Sequence, residues 1–158
     1  PVGFKHLAPI MMSENALAAG EESGGYAFNG NIPERDGVLS GLMIMEMMVK
    51  TGTSLSDLLD LLEKKVGSHY YDRWDLQFDP AERSSIHARV RLANPSILAG
   101  KRVEKVDSRD GYLFSLEGGY WALIRFSGTE PLLRIYAEAE SPREVDSLLN
   151  EARTIVGV

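Results

Sequence analysis

The chain has 158 residues, 44% hydrophobic and 25% charged, which is long enough to bury a core and suits one or two domains. With 17 Lys and Arg against 23 Asp and Glu its net charge is −6, which excludes the broad basic surface that sequence-independent nucleic-acid binding requires. The lack of cysteine excludes disulfide frameworks, thiolate-bound metal clusters and thiol catalysis, and it fits a reducing compartment.

Residues 9–16 read as a short helix and Leu17 to Gly20 as a short buried strand. EESGGYAFNGNIPERDG, residues 21–37, has neither period and reads as a polar, glycine-rich loop. Asp36 is placed to cap a helix from about Val38 to Thr51, and Gly52 to end it. Met43, Met45, Met47 and Met48 on that helix read as core filling. Ser54 with Asp57 marks a second helix start, followed by the stripe Leu55, Leu58, Leu59, Leu62. The most apolar run, Val38 to Val49, contains Ser40, Gly41 and Glu46 and falls short of the roughly 18 residues a bilayer span needs. PVGFKHLAPIMM lacks the pattern of a signal peptide, so a cytoplasmic protein is expected.

Over GSHYYDRWDLQFDP the periodicity lapses, which predicts a hinge at residues 68–80 with Tyr70, Tyr71 and Trp74 packed in it. From Ser84, Ile86, Ala88, Val90 and Leu92 alternate with polar residues, the period of a half-buried strand. Further strands are expected at 101–106, 112–117, 120–126 and 132–138, with Asp110-Gly111 and Gly118-Gly119 as tight turns. The last segment is a helix with Ser141 at its N-cap, Pro142 at N1 and Glu144 completing a capping box. Val145, Leu148, Leu149, Ala152, Ile155 and Val156 form its apolar stripe. The layout is an α/β fragment over residues 1–67, a hinge, and an α+β domain over 81–158 whose antiparallel sheet carries helices on one face.

Two loops carry candidate chemistry. RFSGTEP, Arg125 to Pro131, lies between two strands and is either a plain turn or an anion site. Arg125 brings a permanently charged planar fork, Ser127 and Thr129 bring hydroxyls, and Gly128 lets backbone amides approach a ligand. Arg134 on the returning strand is placed to face the same point, giving the donor set a dianionic phosphate calls for. The loop is not a Walker A motif, since it has no terminal Lys-Ser/Thr and opens no helix. In GEESGG, Glu21 and Ser23 lie two apart, which in an extended loop points both to one side, where they suit adjacent sugar hydroxyls. The alternative is a solvated turn. Glu21 and Glu22 are too close in the chain to act as a hydrolase acid pair. His6, His69 and His87 lack metal-ligand spacing and read as surface or packing residues.

The series GEESGG, IPERDG and RFSGTEPLLRIYAE resembles the α-D-phosphohexomutases, the phosphoglucomutases and phosphomannomutases, over essentially the whole chain. The resemblance implies the end of the third of that family's four domains followed by the whole fourth. It implies an isomerase of the phosphotransferase kind that moves phosphate between O1 and O6 of a hexose through a bisphosphorylated sugar, with a glucose 1,6-bisphosphate-type activator. By the same resemblance Glu21 and Ser23 bind sugar hydroxyls, while Arg125, Ser127, Gly128, Thr129 and Arg134 hold the phosphate that is not reacting. Lys5 and Arg35 match basic active-site positions, and electrostatic neutralisation suits Arg35 because a guanidinium scarcely deprotonates.

The family's phosphoserine loop and the acidic loop that binds Mg²⁺ are both missing. Together with a start at Pro1 this leads to the expectation that N-terminal domains of the same protein supply them, and that this chain alone binds hexose phosphate without turning it over. Glucose or mannose phosphate is the expected substrate. The alternatives are a phosphoglucosamine-type mutase, or a non-catalytic phosphosugar-binding module.

Overall fold

The computed structural model describes residues 3–21, 23–128 and 130–157. Thr129 and Glu22 fall outside them. The chain divides into two compact units, Pro1–Leu62 and Glu63–Val158.

The first unit opens with helix α1, Phe4–Ser13, which starts a turn and a half earlier than its sequence suggests and contains Pro9. Phe4, Leu7, Ala8 and Met11 recur at helical spacing, and Phe4 and Met11 pack with Ala27 into a small core. Strands β1, Ala18–Gly20, and β2, Tyr26–Phe28, pair antiparallel with Ala18 opposite Phe28. The segment from Leu17 is not the buried strand expected: Leu17 is 86% exposed.

Asp36 Oδ1 accepts the Leu39 amide at 2.8 Å and starts α2, Gly37–Thr51, which ends at Gly52 with φ 64°. None of its residues is buried, and Met45 is 62% exposed. Core filling by these methionines is therefore not realised within this chain. Helix α3, Leu55–Val66, begins on a reciprocal cap in which the Ser54 hydroxyl receives the Asp57 amide at 3.2 Å and donates to its carboxylate at 2.7 Å.

The second unit is an antiparallel sheet with helices on one face, the architecture expected for this half. Its strands are β3, Tyr70–Gln77; β4, Ile97–Leu98; β5, Lys101–Asp107; β6, Tyr112–Leu116; β7, Trp121–Phe126; and β8, Leu132–Ala139. The order across the sheet is β3-β8-β7-β6-β5-β4. Helix α5, Pro142–Val156, lays Val145, Leu148, Leu149, Ala152 and Val156 on Phe114, Ile124, Leu133 and Ile135. At its start Ser141 Oγ receives the Glu144 amide at 3.3 Å.

Two sequence expectations fail in this unit. Residues 70–77 are not a hinge: β3 is an edge strand paired along its whole length with β8, from Tyr70 opposite Ala139 to Gln77 opposite Leu132. Trp74 and Leu76 pack on the core, and Tyr71 lies on the other face with its ring 6.2 Å from Trp121. The lapse in pattern has a physical reason, since an edge strand exposing Tyr71, Arg73 and Asp75 needs only a short apolar stripe. Residues 84–92 are likewise not a strand. They lie in α4, Arg83–Ala93, where Ile86 and Val90 are buried a turn apart and Leu92 is 75% exposed. Alanine and arginine favour a helix, and α4 follows directly on a single 3-10 turn, Pro80–Glu82, that Asp79 caps by accepting the Ala81 amide at 2.9 Å.

Among the described residues no helix is long and apolar enough to cross a membrane.

Candidate functional site

In the first unit the GEESGG loop closes on itself. The Glu21 amide donates to the Gly25 carbonyl at 2.9 Å and the Gly24 amide returns to the Glu21 carbonyl at 3.0 Å. These bonds fold the segment back on itself, so the period of two that puts Glu21 and Ser23 on one side of an extended loop does not apply. The Glu21 side chain is only 7% exposed and lies against Arg35, whose Nη1 donates to Oε2 at 3.2 Å, while Ser23 faces solvent.

Arg35 comes from the other end of the same loop. Its Nε donates to Glu34 Oε1 at 3.1 Å, and its guanidinium lies 5.9 Å from the centre of the Phe4 ring. A methyl group on Gly25 would meet Arg35 Cδ at 2.4 Å, so the absence of a side chain there is what admits the arginine. Glu34, and then Glu21, raise the Arg35 pKa above its ordinary value. The residue is thus a fixed cation set against two carboxylates, which suits charge neutralisation and not proton donation. Lys5 is exposed on α1 and, among the described residues, makes no hydrogen bond or ion pair.

In the second unit β7 and β8 bracket RFSGTEP. Arg125 and Arg134 are direct cross-strand partners, so their side chains leave the sheet on the face away from α4 and α5. Arg125 Nε reaches Asp110 Oδ1 at 3.2 Å, and Arg134 Nε lies 3.8 Å from Asp75 Oδ2, buried and without a hydrogen-bond partner. Ser127 is 5% exposed. Its amide donates to the Leu132 carbonyl at 2.8 Å and its hydroxyl receives the Glu130 amide at 3.3 Å, so it closes the loop, whereas Gly128 is exposed. A shallow cavity beside the loop is lined by His87, Ser108, Asp110, Tyr112, Arg125 and Phe126. The arrangement sets two arginines on facing strand positions beside one loop, each met by a different aspartate.

The sequence reading did not identify Asp110, Asp75 or Arg83, whose Nη2 donates to the Ser127 carbonyl at 2.7 Å. A signal for Asp110 was present. Pairing Tyr112 with Ile124 across the hairpin brings Gly111 level with Arg125 and puts the preceding aspartate beside it. Gly111, at φ +85°, has no room for a side chain, since a Cβ would lie 2.5 Å from the Ile124 carbonyl. Among the described residues no group of three or more His, Asp or Glu is placed to hold a metal. The described residues therefore offer no ligand set that fits Mg²⁺.

Comparison with known proteins identifies the family of the chain. The model of the phosphoglucomutase/phosphomannomutase alpha/beta/alpha domain III matches residues 1–65, and the model of that family's C-terminal domain matches residues 80–155. A phosphoglucomutase/phosphomannomutase of Thermococcus kodakarensis is 34% identical over 94% of this chain and 30% of its own length. A phosphoglucosamine/phosphogalactosamine mutase of Sulfurisphaera tokodaii is 29% identical over 98% of this chain and 32% of its own. The crystal structure of a putative phosphomannomutase from Thermus thermophilus superposes with a TM-score of 0.76 at 35% identity, covering 100% of this chain and 30% of that one. The chain thus spans about a third of the length of the relatives it matches, and within that span it belongs to the phosphoglucomutase/phosphomannomutase family.

Proposed function

We propose that this chain is the sugar- and phosphate-recognising part of a phosphohexomutase that interconverts hexose 1-phosphate and hexose 6-phosphate through a bisphosphorylated sugar. The observation that carries the reading is the cross-strand placement of Arg125 and Arg134 at one loop. Two fixed guanidiniums on neighbouring strands neutralise a dianion and orient it, which is the task of a group that holds the phosphate not being transferred. The exposed Gly128 backbone adds a donor position without steric cost.

Glu21 is assigned to sugar hydroxyls, with Ser23 beside it on the turn. Arg35 holds the Glu21 carboxylate in place and adds positive charge where a phosphoryl group is transferred, and Lys5 is the second basic residue of that region. The phosphorylated serine, the Mg²⁺ ligands and the response to a glucose 1,6-bisphosphate-type activator are assigned to domains of the protein outside this chain. The enzyme is assigned to the cytoplasm.

Glucose and mannose phosphates are the preferred substrates in this reading. A glucosamine phosphate is the second reading, favoured by the S. tokodaii relative at comparable identity. Titration of the chain with glucose, mannose and glucosamine 1-phosphates, followed at the Gly128 and Glu130 amides by NMR, tests both. Saturable shifts that vanish in Arg125→Ala support the phosphate role, and shifts unaltered by that substitution overturn it. The order of the three affinities decides the sugar.

A further inference from the structure

Helix α4 holds the phosphate loop from behind. Arg83, at its first turn, extends along Phe126 with its guanidinium carbon 5.5 Å from the ring centre and donates from Nη2 to the Ser127 carbonyl at 2.7 Å. His87, one turn later, stacks on the same ring at 5.1 Å and 27°. Phe78 meets that ring edge-on at 6.0 Å. Phe126 is the last residue of β7 and Ser127 the first of the loop, so these contacts act at the point where the strand gives way to the turn.

At that point every polar group of Ser127 is engaged. Ser127 uses its amide toward Leu132 and its hydroxyl to receive the Glu130 amide. Its carbonyl, at 5% residue exposure, is the acceptor for a charged donor that arrives from a residue 44 positions earlier. A charged hydrogen bond to a buried carbonyl is among the stronger single contacts available, and a planar guanidinium on an aromatic face has little freedom to drift. Arg125 precedes Phe126 and its side chain leaves the opposite face of the strand. A rotation of the strand end that releases Phe126 therefore moves Arg125.

We infer that Arg83 is a positioning residue for the anion loop, fixing the Phe126-Ser127 backbone so that Arg125 and the Gly128 amide meet a phosphate in one orientation. The role rests on the phosphate reading of the loop. It differs from that reading in assigning part of the affinity to a side chain that touches no ligand.

The test compares the parent chain with Arg83→Ala, Arg83→Lys and Arg125→Ala, titrated with glucose 1-phosphate, alongside NMR of the ligand-free loop amides and of the Leu133 and Ile135 methyls. Arg83→Ala is expected to shift the Ser127 and Gly128 amides, leave the core methyls in place and weaken binding about tenfold. Arg83→Lys retains a charged donor and recovers part of that loss. Affinity within about twofold of the parent in Arg83→Ala, with parent-like loop amides, overturns the proposal. Should Arg83→Ala not fold, Arg83→Lys decides: weaker binding with an intact core supports the role, and parent-like binding overturns it. Binding that depends on Arg125 and not on Arg83 overturns this inference alone. A parent chain that binds no glucose 1-phosphate overturns the phosphate reading and this role with it.

Discussion

Arg125 and Arg134 stand directly opposite each other on β7 and β8, and each is met by a different aspartate, Asp110 at 3.2 Å and Asp75 at 3.8 Å. Like charges directly opposed across a sheet destabilise it, and Asp75 is shared with Arg73 at 2.9 Å. The buried Arg134 Nε without a hydrogen-bond partner adds to the cost. A sheet built for stability alone has an apolar side chain at that position, so the pair costs the fold stability, and the proposed phosphate role accounts for that cost. Arg134→Met is expected to raise the stability of this unit by about 1 kcal/mol and to weaken hexose phosphate binding. Thermal melts and calorimetric titration of the same variant check both signs. A lower Tm with unaltered affinity shows that Arg134 is a structural strut and not a ligand-facing cation.

The Glu21–Arg35 pair depends on Gly25 in a way that can be broken without touching either charge. A Cβ on Gly25 lies 2.4 Å from Arg35 Cδ and 3.1 Å from Glu21 Oε2, inside the contact distance of both. Gly25→Ala is therefore expected to expel Arg35 from Glu21 at a cost of about 1–2 kcal/mol, the usual range for a small overpacking change. The Arg35 Nη1–H resonance, whose proton goes to Glu21, reports the loss directly. Retention of that resonance at its parent position means the loop opens to accept the methyl and the pairing survives.

The strands β6 to β8 are legible in the sequence because each buries one face on the helices, β5 adds only the half-buried Val103, and their turns carry glycines that need positive φ, as at Gly111 and Gly118. The pairing of Arg134 with Arg125 is legible for the same reason, since the register of the two strands brings them level. Asp75 and Arg83 are not, because they arrive from elements 59 and 44 positions away in sequence and no local pattern points to them. Helix α4 is misread because Ile86, Ala88, Val90 and Leu92 satisfy a period of two while Ile86 and Val90 alone satisfy a helix, and four residues cannot separate the two. The competing placements make opposite predictions. In the helix Ile86 is fully buried and Leu92 is 75% exposed, so Ile86→Ala should cost about 2–5 kcal/mol and Leu92→Lys almost nothing. Equal losses in denaturant melts support the strand.

Edge strand β3 is tied at its start by a contact that depends on the protonation of a histidine. His69 Nδ1 lies 2.7 Å from Glu138 Oε1 on β8, and Nε2 lies 3.3 Å from the Val66 carbonyl. The Glu138 hydrogen bond, then the Val66 carbonyl, raise the His69 pKa above its ordinary 6.5. A histidine with a raised folded-state pKa binds its proton more tightly folded than unfolded. Its contribution is full below the unfolded value and disappears as pH rises through the folded one. The tie between β3 and β8 should therefore weaken as pH climbs from about 6.5 toward alkaline values. His69→Gln should remove that part of the pH dependence while leaving the acid limb to the carboxylates. Tm measured from pH 6 to pH 9 for the parent and the variant checks the sign. Parallel curves mean that the imidazole–carboxylate contact adds nothing to the fold, and a parent more stable on the alkaline side contradicts the linkage argued from Glu138.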